Sequence, residues 1–222
     1  MLSYVFMKIL EGRPPSYDRR MDAVSGGRVS AIKRALAAEI PPGIRVLEIG
    51  CGTGELGALL CARGAHVEGF DRSPSMLAVA GERIEAEGLT GRLECREMGV
   101  DGMDRLPECA YGAVVSTLVF SELSDDERRF ALRHAFRVLE PGGLLVIADE
   151  VVPRSALRRL GQSLSRAPLL AATYLVAGTA TRPIRDLQGE VGAAGFRLEK
   201  EERSQGDAFA LLVARRPEEE ER

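Results

Sequence analysis

Short runs bounded by turn residues recur along this chain, and stretches of helical spacing separate them. Residues 45–49, 65–71, 92–96, 111–118 and 144–148 read as strands, and 111–118 is apolar enough for burial on both faces. Helical spacing occupies 16–38, with apolar Met21, Val24, Ile32 and Leu36, and Gly26-Gly27 interrupts it. It returns after Gly54, over 75–87 with Gly88 as stop, from Ser124 to about Leu139, and over 184–194 with Gly195 as stop. Two final runs, 196–203 and 208–215, alternate around Gln205-Gly206-Asp207 and read as an antiparallel hairpin. Strands alternating with helices predict an α/β fold with a mostly parallel sheet.

The first strand carries the chemistry. Val46-Leu47-Glu48-Ile49 runs into Gly50-Cys51-Gly52-Thr53-Gly54, and helix-compatible residues follow. Glycines at alternate positions let the turn adopt positive φ and let a ligand touch bare backbone. The helix beyond points free N–H groups at the turn. Read literally, Gly52-Thr53-Gly54-Glu55-Leu56-Gly57 is a dinucleotide fingerprint, which leaves an NAD-dependent oxidoreductase as one alternative. Glu48 decides against it: a carboxylate there repels a pyrophosphate and tolerates a positively charged sulfonium amino acid. Asp71 ends the second strand roughly 20 residues on, where a ribose-binding carboxylate is expected. Ser73-Pro74 reads as the cap of the next helix, which frees Asp71 for a ligand.

The string Val46-Leu47-Glu48-Ile49-Gly50-Cys51-Gly52-Thr53-Gly54 resembles the first motif of class I S-adenosylmethionine-dependent methyltransferases. The resemblance covers roughly residues 17–215, including the Pro141-Gly142-Gly143 turn before the fifth strand. It implies a three-layer Rossmann-like fold, with a seven-stranded mostly parallel sheet and an antiparallel C-terminal hairpin strand. It implies S-adenosyl-L-methionine as cofactor, held by Tyr17, Glu48, Gly50, Cys51, Gly52, Gly54, Asp71, Arg72, Met76, Met98, Gly99, Val100, Ser116 and Thr117. Two of these keep a second reading. Tyr17-Asp18-Arg19-Arg20 is similar to a segment that closes over the cofactor in ubiquinone/menaquinone-type methyltransferases, and reads equally as a polar helix start. Met76 faces the adenine or belongs to the core. The chain departs from the family after strand 3. Met98-Gly99-Val100 stands where a glycine–aspartate pair is usual, leaving Asp101, Glu97 or backbone to take the adenine amino group.

Composition narrows the remainder. At 222 residues the chain suits one α/β domain, and a net charge of −3 gives no footprint for nucleic acid. Cys51, Cys61, Cys95 and Cys109 lack the spacing of a zinc site or a disulfide framework, so no metal and a reducing cytoplasm are expected. Cys51 reads as a small residue filling the turn rather than as a nucleophile.

The layout expected is a helical cap over 1–40, a methyltransferase domain over 41–216 and a charged tail over 217–222. Residues 151–181, at the ligand edge, combine Arg154, Arg158, Arg159 and Arg166 with an apolar stretch around Tyr174. A helical lid, a subunit contact and a membrane-surface contact fit, in that order; oligomeric state is not legible. Methyl transfer from a sulfonium needs alignment above all. A thiolate or reduced cobalt acceptor needs no base; an oxygen or nitrogen acceptor does, and Tyr17, Glu122, Asp149 and Glu150 are the candidates. The acceptor is a small molecule or a cofactor. The stretches 3–10, 95–100, 120–123 and 148–151 resemble methyltransferases associated with corrinoid proteins, which implies a corrinoid acceptor as one option. A non-catalytic accessory protein that binds the same cofactor is the other alternative.

Overall fold

Alternate side chains of the central strands go to opposite faces of one sheet, and both faces are covered. The computed structural model describes residues 17–155 and 183–218. In chain order these form α1 (Tyr17–Ser25), α2 (Arg28–Glu39), β1 (Arg45–Ile49), α3 (Glu55–Ala62), β2 (His66–Asp71), α4 (Pro74–Ala86) and β3 (Leu93–Glu97). A short 3₁₀ turn, Val100–Arg105, leads to β4 (Tyr111–Thr117), α5 (Asp125–Val138), β5 (Leu139–Glu150), α6 (Leu187–Ala193), β6 (Arg197–Ser204) and β7 (Phe209–Arg215).

The seven strands lie in the order β3-β2-β1-β4-β5-β7-β6. They are parallel from β3 to β5, and β7 runs antiparallel to both its neighbours. Leu47, Ile49, Val114, Leu145 and Ile147 pack on one face with Leu132 of α5 and Val191 of α6. Val46, Ala113, Val115, Val146 and Ala148 pack on the other with Leu36 of α2 and Leu60 of α3. Each fully buried leucine contributes about 1.5–3 kcal/mol, so the helices are held chiefly by this apolar contact. Polar locks orient them. Ser124 and Glu127 form a capping box at the start of α5. Buried Arg128 reaches both carboxylate oxygens of Glu190 at 2.8 and 3.0 Å, joining α5 to α6.

The expected seven-stranded sheet is present, and the break at Gly26-Gly27 separates α1 from α2. Three local expectations need correction. β5 begins at Leu139, not Leu144, because Leu139 pairs with Tyr111 before the register shifts. Gly142 and Gly143 then exchange backbone hydrogen bonds with Arg216, which holds the turn against the end of β7. α6 begins at Leu187, not Ile184: Ile184 is buried and bridges Val151, and Asp186 caps the helix through the Gly189 N–H. At α4, Ser73 gives no side-chain cap; its hydroxyl lies 3.1 Å from that of Ser75. Residues 1–16, most of the 151–181 segment and 219–222 lie outside the described residues.

The chain moves outward from β1 to β3, then returns to the other side of β1 with β4. At such a reversal the connections leave in opposite directions and open a crevice at the C-terminal strand ends.

Candidate functional site

That crevice is a cavity of about 770 Å³, within the size range of small-ligand sites. Its floor is the turn that the glycines build. The Gly54 N–H donates to the Cys51 carbonyl, and Gly54 caps α3 in the left-handed region at φ +73°. The N–H groups of Gly50 and Cys51 both reach the Phe70 carbonyl, at 2.8 and 3.0 Å, which seats the turn on the end of β2.

Most of the residues expected at a cofactor line this cavity: Glu48, Gly50, Cys51 and Gly52 from the first motif, Asp71, Arg72 and Met76 after β2, Met98, Gly99 and Val100 after β3, and Thr117. Gly54 supports the turn from behind. Ser116 does not reach the cavity: it is fully buried and its hydroxyl donates to the Ile49 carbonyl at 3.1 Å, tying β4 to β1 beneath the turn. Tyr17 opens α1, and its side chain lies outside what the structure describes.

Glu48 is the electrostatic centre. It is 3% exposed, and its Oε2 has no hydrogen-bond partner among the described residues. Burial drives its carboxyl well above the usual range; Cys95 adds to this, Lys33 opposes it, and Asp71 and the Gly57 amide act less, in opposite directions. Thr117 Oγ1 is a second buried atom without a partner among the described residues. Buried polar atoms rarely stay unpaired, so two on one cavity wall mark where a polar ligand docks. A buried carboxylate with one unpaired oxygen fits an ammonium or sulfonium group, as S-adenosylmethionine carries, and opposes a pyrophosphate. The third glycine of the fingerprint contributes space instead. A Cβ at Gly57 would lie 3.1 Å from Glu48 Oε2 and 2.6 Å from Leu93 Cδ1. Gly57 thus makes room for Glu48.

Asp71 serves the turn as well as facing the cavity. Its Oδ2 accepts from the Gly52 N–H and its Oδ1 from the Ser73 N–H, both at 2.9 Å. The expectation that Ser73 relieves Asp71 of capping is therefore incorrect, since Asp71 holds the start of α4 itself. Cys51 donates to Cys95, and this bond with burial pushes its thiol up, which favours its reading as a residue that fills the turn.

The candidate bases separate. Glu122 is half-buried, lines the cavity and lies 3.6 Å from Arg72. Asp149 is fully buried outside the lining, where it accepts from the N–H groups of Ser121 and Glu150. Burial pushes its carboxyl up to about 6. Asp149 thus fixes the loop that carries Glu122. Glu150 is likewise absent from the lining formed by the described residues. Of the two acids proposed after strand 3, Asp101 lines the cavity and folds back over Gly99, whereas Glu97 does not line it.

Several lining residues escaped sequence reasoning. Lys33 of α2 reaches the cavity beside Val29, one helical turn away, and pairs with Glu55. The shared face of Val29 and Lys33 was the available signal. Leu118 and Val119 follow β4, with Leu118 in the left-handed region at φ +61°, a conformation bulky residues avoid. No local pattern announces that turn.

Comparison with known proteins agrees with this geometry. A methyltransferase-domain family matches residues 46–143. The ubiquinone/menaquinone biosynthesis C-methyltransferase of Xylella fastidiosa is 32% identical over 202 residues, covering 81% of this chain and 77% of that protein. The demethylmenaquinone methyltransferase of Thermus thermophilus is 39% identical over 108 residues, 47% of this chain. There the chain spans about half the relative's length, 46%. A solved S-adenosylmethionine-dependent methyltransferase from Mesorhizobium loti aligns with a TM-score of 0.63, at 23% identity over 82% of this chain and 96% of that one, a likeness of fold alone. The NAD-dependent alternative finds no support in these matches. Identity of this level across most of both chains places the protein in the class I S-adenosylmethionine-dependent methyltransferase family, with S-adenosylmethionine as its cofactor.

Proposed function

We propose that this protein transfers a methyl group to an uncharged, largely apolar small molecule. The observation that carries this reading is the character of the cavity wall beyond the glycine turn. Val29, Leu118, Val119, Leu123 and Phe130 supply apolar surface, with Glu122, Asp126 and Glu127 among them. Among the described residues, the basic members of the lining are Lys33 and Arg72, which already face Glu55 and Glu122. An anionic acceptor would face Glu122, Asp126 and Glu127, with Arg72 and Lys33 already engaged by carboxylates, whereas a neutral ring buries apolar area. The quinone names of the relatives agree with such an acceptor.

When bound, S-adenosylmethionine supplies a methyl group already activated on a sulfonium and open to in-line displacement. What remains for the chain is to orient the reactants and to exclude water. Glu48 would hold the positive end of the cofactor, Asp71 would accept from the ribose hydroxyls, and Asp101 would accept from the adenine amino group. Glu122 takes the proton of an acceptor hydroxyl. Met21 of α1 and Val29 and Lys33 of α2 line the cavity, which supports reading the N-terminal helices as a cap.

A second reading rests on a specific juxtaposition. Two of the stretches that resemble corrinoid-associated methyltransferases supply lining residues: Met98, Gly99 and Val100 in one, Glu122 and Leu123 in the other. A corrinoid acceptor would use the same cavity without a base.

An acceptor screen with methyl-labelled S-adenosylmethionine separates these readings. The expected result is label in a neutral hydroquinone such as a demethylmenaquinol analogue, and none in carboxylated or phosphorylated analogues. Label only on a reduced corrinoid protein replaces the first reading by the second. Cofactor binding without transfer to any acceptor would support an accessory role.

A further inference from the structure

The glycine turn is also gripped at Thr53, itself a lining residue, by two side chains that are not part of the lining, Asp18 and Arg83. Thr53, 3% exposed, points its hydroxyl at Asp18 of α1, with Oδ1 and Oδ2 at 2.7 and 2.9 Å. Arg83 of α4 closes the triangle. Its Nη2 donates to Asp18 Oδ2 at 2.7 Å, and its Nη1 to the Thr53 carbonyl at 2.5 Å and to Thr53 Oγ1 at 3.2 Å. Glu87, one turn along α4, holds Arg83 Nε at 3.3 Å. The side chains of Arg83 and Asp18 are only 19% and 21% exposed, so water screens the pair less than a surface ion pair.

We propose that Asp18 is a positioning residue for the cofactor, a latch that couples the docking of α1 to the shape of the glycine turn. The proposal rests on the reading of this cavity as the S-adenosylmethionine site. Three relationships carry it. First, Thr53 sits between Gly52 and Gly54, at φ +52° and +73°, and two such glycines give the turn no stiffness of its own. Second, the turn is held on the ligand side by Asp71 through the Gly52 N–H, so Asp18 and Arg83 supply the opposing hold. Third, Met21 stands three residues beyond Asp18, on the same face of α1. It is 3% exposed, lines the cavity and packs with Val29, Met76 and Leu118. Docking of α1 through Asp18 and coverage of the cavity by Met21 are thus one event. A ligand that binds the covered cavity must favour the latched state, and the latched state must favour the ligand, by the same factor.

The experiment is calorimetric titration with S-adenosylhomocysteine for the wild type, Asp18→Ala, Asp18→Asn, Arg83→Gln and the double variant Asp18→Ala/Arg83→Gln. Hydrogen exchange of residues 17–25 is followed with and without the ligand. Thermal melts report which variants fold, and Asp18→Asn and Arg83→Gln carry the test should Asp18→Ala not fold. The expected result is affinity lower by about 10- to 100-fold in Asp18→Ala, the range for losing a charged hydrogen bond, with Asp18→Asn between it and the wild type. The double variant is expected to bind no worse than Asp18→Ala. The ligand is expected to slow exchange in α1 of the wild type and not of Asp18→Ala. A purely structural ion pair lowers the melting temperature alone; unchanged affinity and unchanged ligand-induced protection in the folded variants overturn the latch. A wild type that binds no S-adenosylhomocysteine overturns the reading of the cavity, and the latch with it.

Discussion

Gly50 lies directly under Val119. A Cβ built on Gly50 would fall inside the Val119 Cγ2 methyl, and Gly50 holds φ +72°. The first glycine of the turn is therefore required twice, by backbone conformation and by a neighbour from the loop after β4. Gly50→Ala is expected to lower stability by at least about 1–2 kcal/mol from the left-handed conformation alone, with the clash in addition. The double variant Gly50→Ala/Val119→Ala should recover the clash and not the conformational cost. Thermal or urea melts of the three proteins check this. Equal loss in the single and double variants would mean that Val119 moves aside freely.

Glu48 is expected to make cofactor binding depend on pH. Burial keeps its carboxyl protonated above the usual carboxylate range when the site is empty, and a bound cation must bring it back to the charged form. Binding should therefore release protons, and affinity should fall as pH drops. Titration of S-adenosylmethionine in buffers of different ionisation enthalpy measures the proton count. Glu48→Gln is expected to bind about 10- to 100-fold more weakly and to lose the proton release, since its amide cannot ionise.

Asp101 and Asp71 should fail in different ways. Asp101→Asn is expected to weaken S-adenosylhomocysteine and to discriminate less against an analogue lacking the adenine amino group. A change of about 0.5–3 kcal/mol is the scale of one hydrogen bond, neutral or charged. Asp71→Ala removes the acceptor for the Gly52 and Ser73 N–H groups and, on the proposed reading of the cavity, a ribose partner. It should therefore cost affinity and stability together. Paired titrations and melts check this. An Asp101 variant that loses stability but no affinity would return that residue to a structural role.

Asp149 sets a stability slope with pH. Its folded carboxyl sits at about 6, above the ordinary value of 3.8, because burial disfavours the charge. The neutral acid is thus favoured in the folded state. Its contribution is fully present below the ordinary value and is lost as pH rises through about 6, about 3 kcal/mol in all at this order of magnitude. Asp149→Asn should flatten the difference in melting temperature between pH 5 and pH 8. The amide keeps one oxygen for the Ser121 N–H but sets its NH2 against the Glu150 N–H, so Asp149→Asn should also cost stability at both pH values, whereas Glu122→Gln should reduce turnover if the acceptor carries a hydroxyl. Melting curves and initial rates at the two pH values decide this.

Local chemistry is sufficient for much of what was legible in the sequence. The period of two in the strands, the capping box at Ser124 and Glu127, the break at Gly26-Gly27 and the acid that ends β2 all act within a few residues. A pattern that acts locally can be read locally. Glu48 belongs with them, because a carboxylate in an apolar strand beside alternate glycines already demands an unusual ligand.

What only the tertiary structure decided depends on approach between distant segments. Sequence position puts Asp149 and Glu122 on equal footing as bases, yet one lies behind the Ser121 loop and the other lines the cavity. Ser116 and Thr117 are neighbours, and the pleat sends one to the Ile49 carbonyl and leaves the other at the site. The meeting of Asp18, Thr53 and Arg83 joins residues 35 and 30 positions apart in the chain, and no short window contains it. Hydrophobic period and turn residues set the elements; which side chains then share a cavity follows from the packing of α1, α2 and the loop after β4 on the sheet.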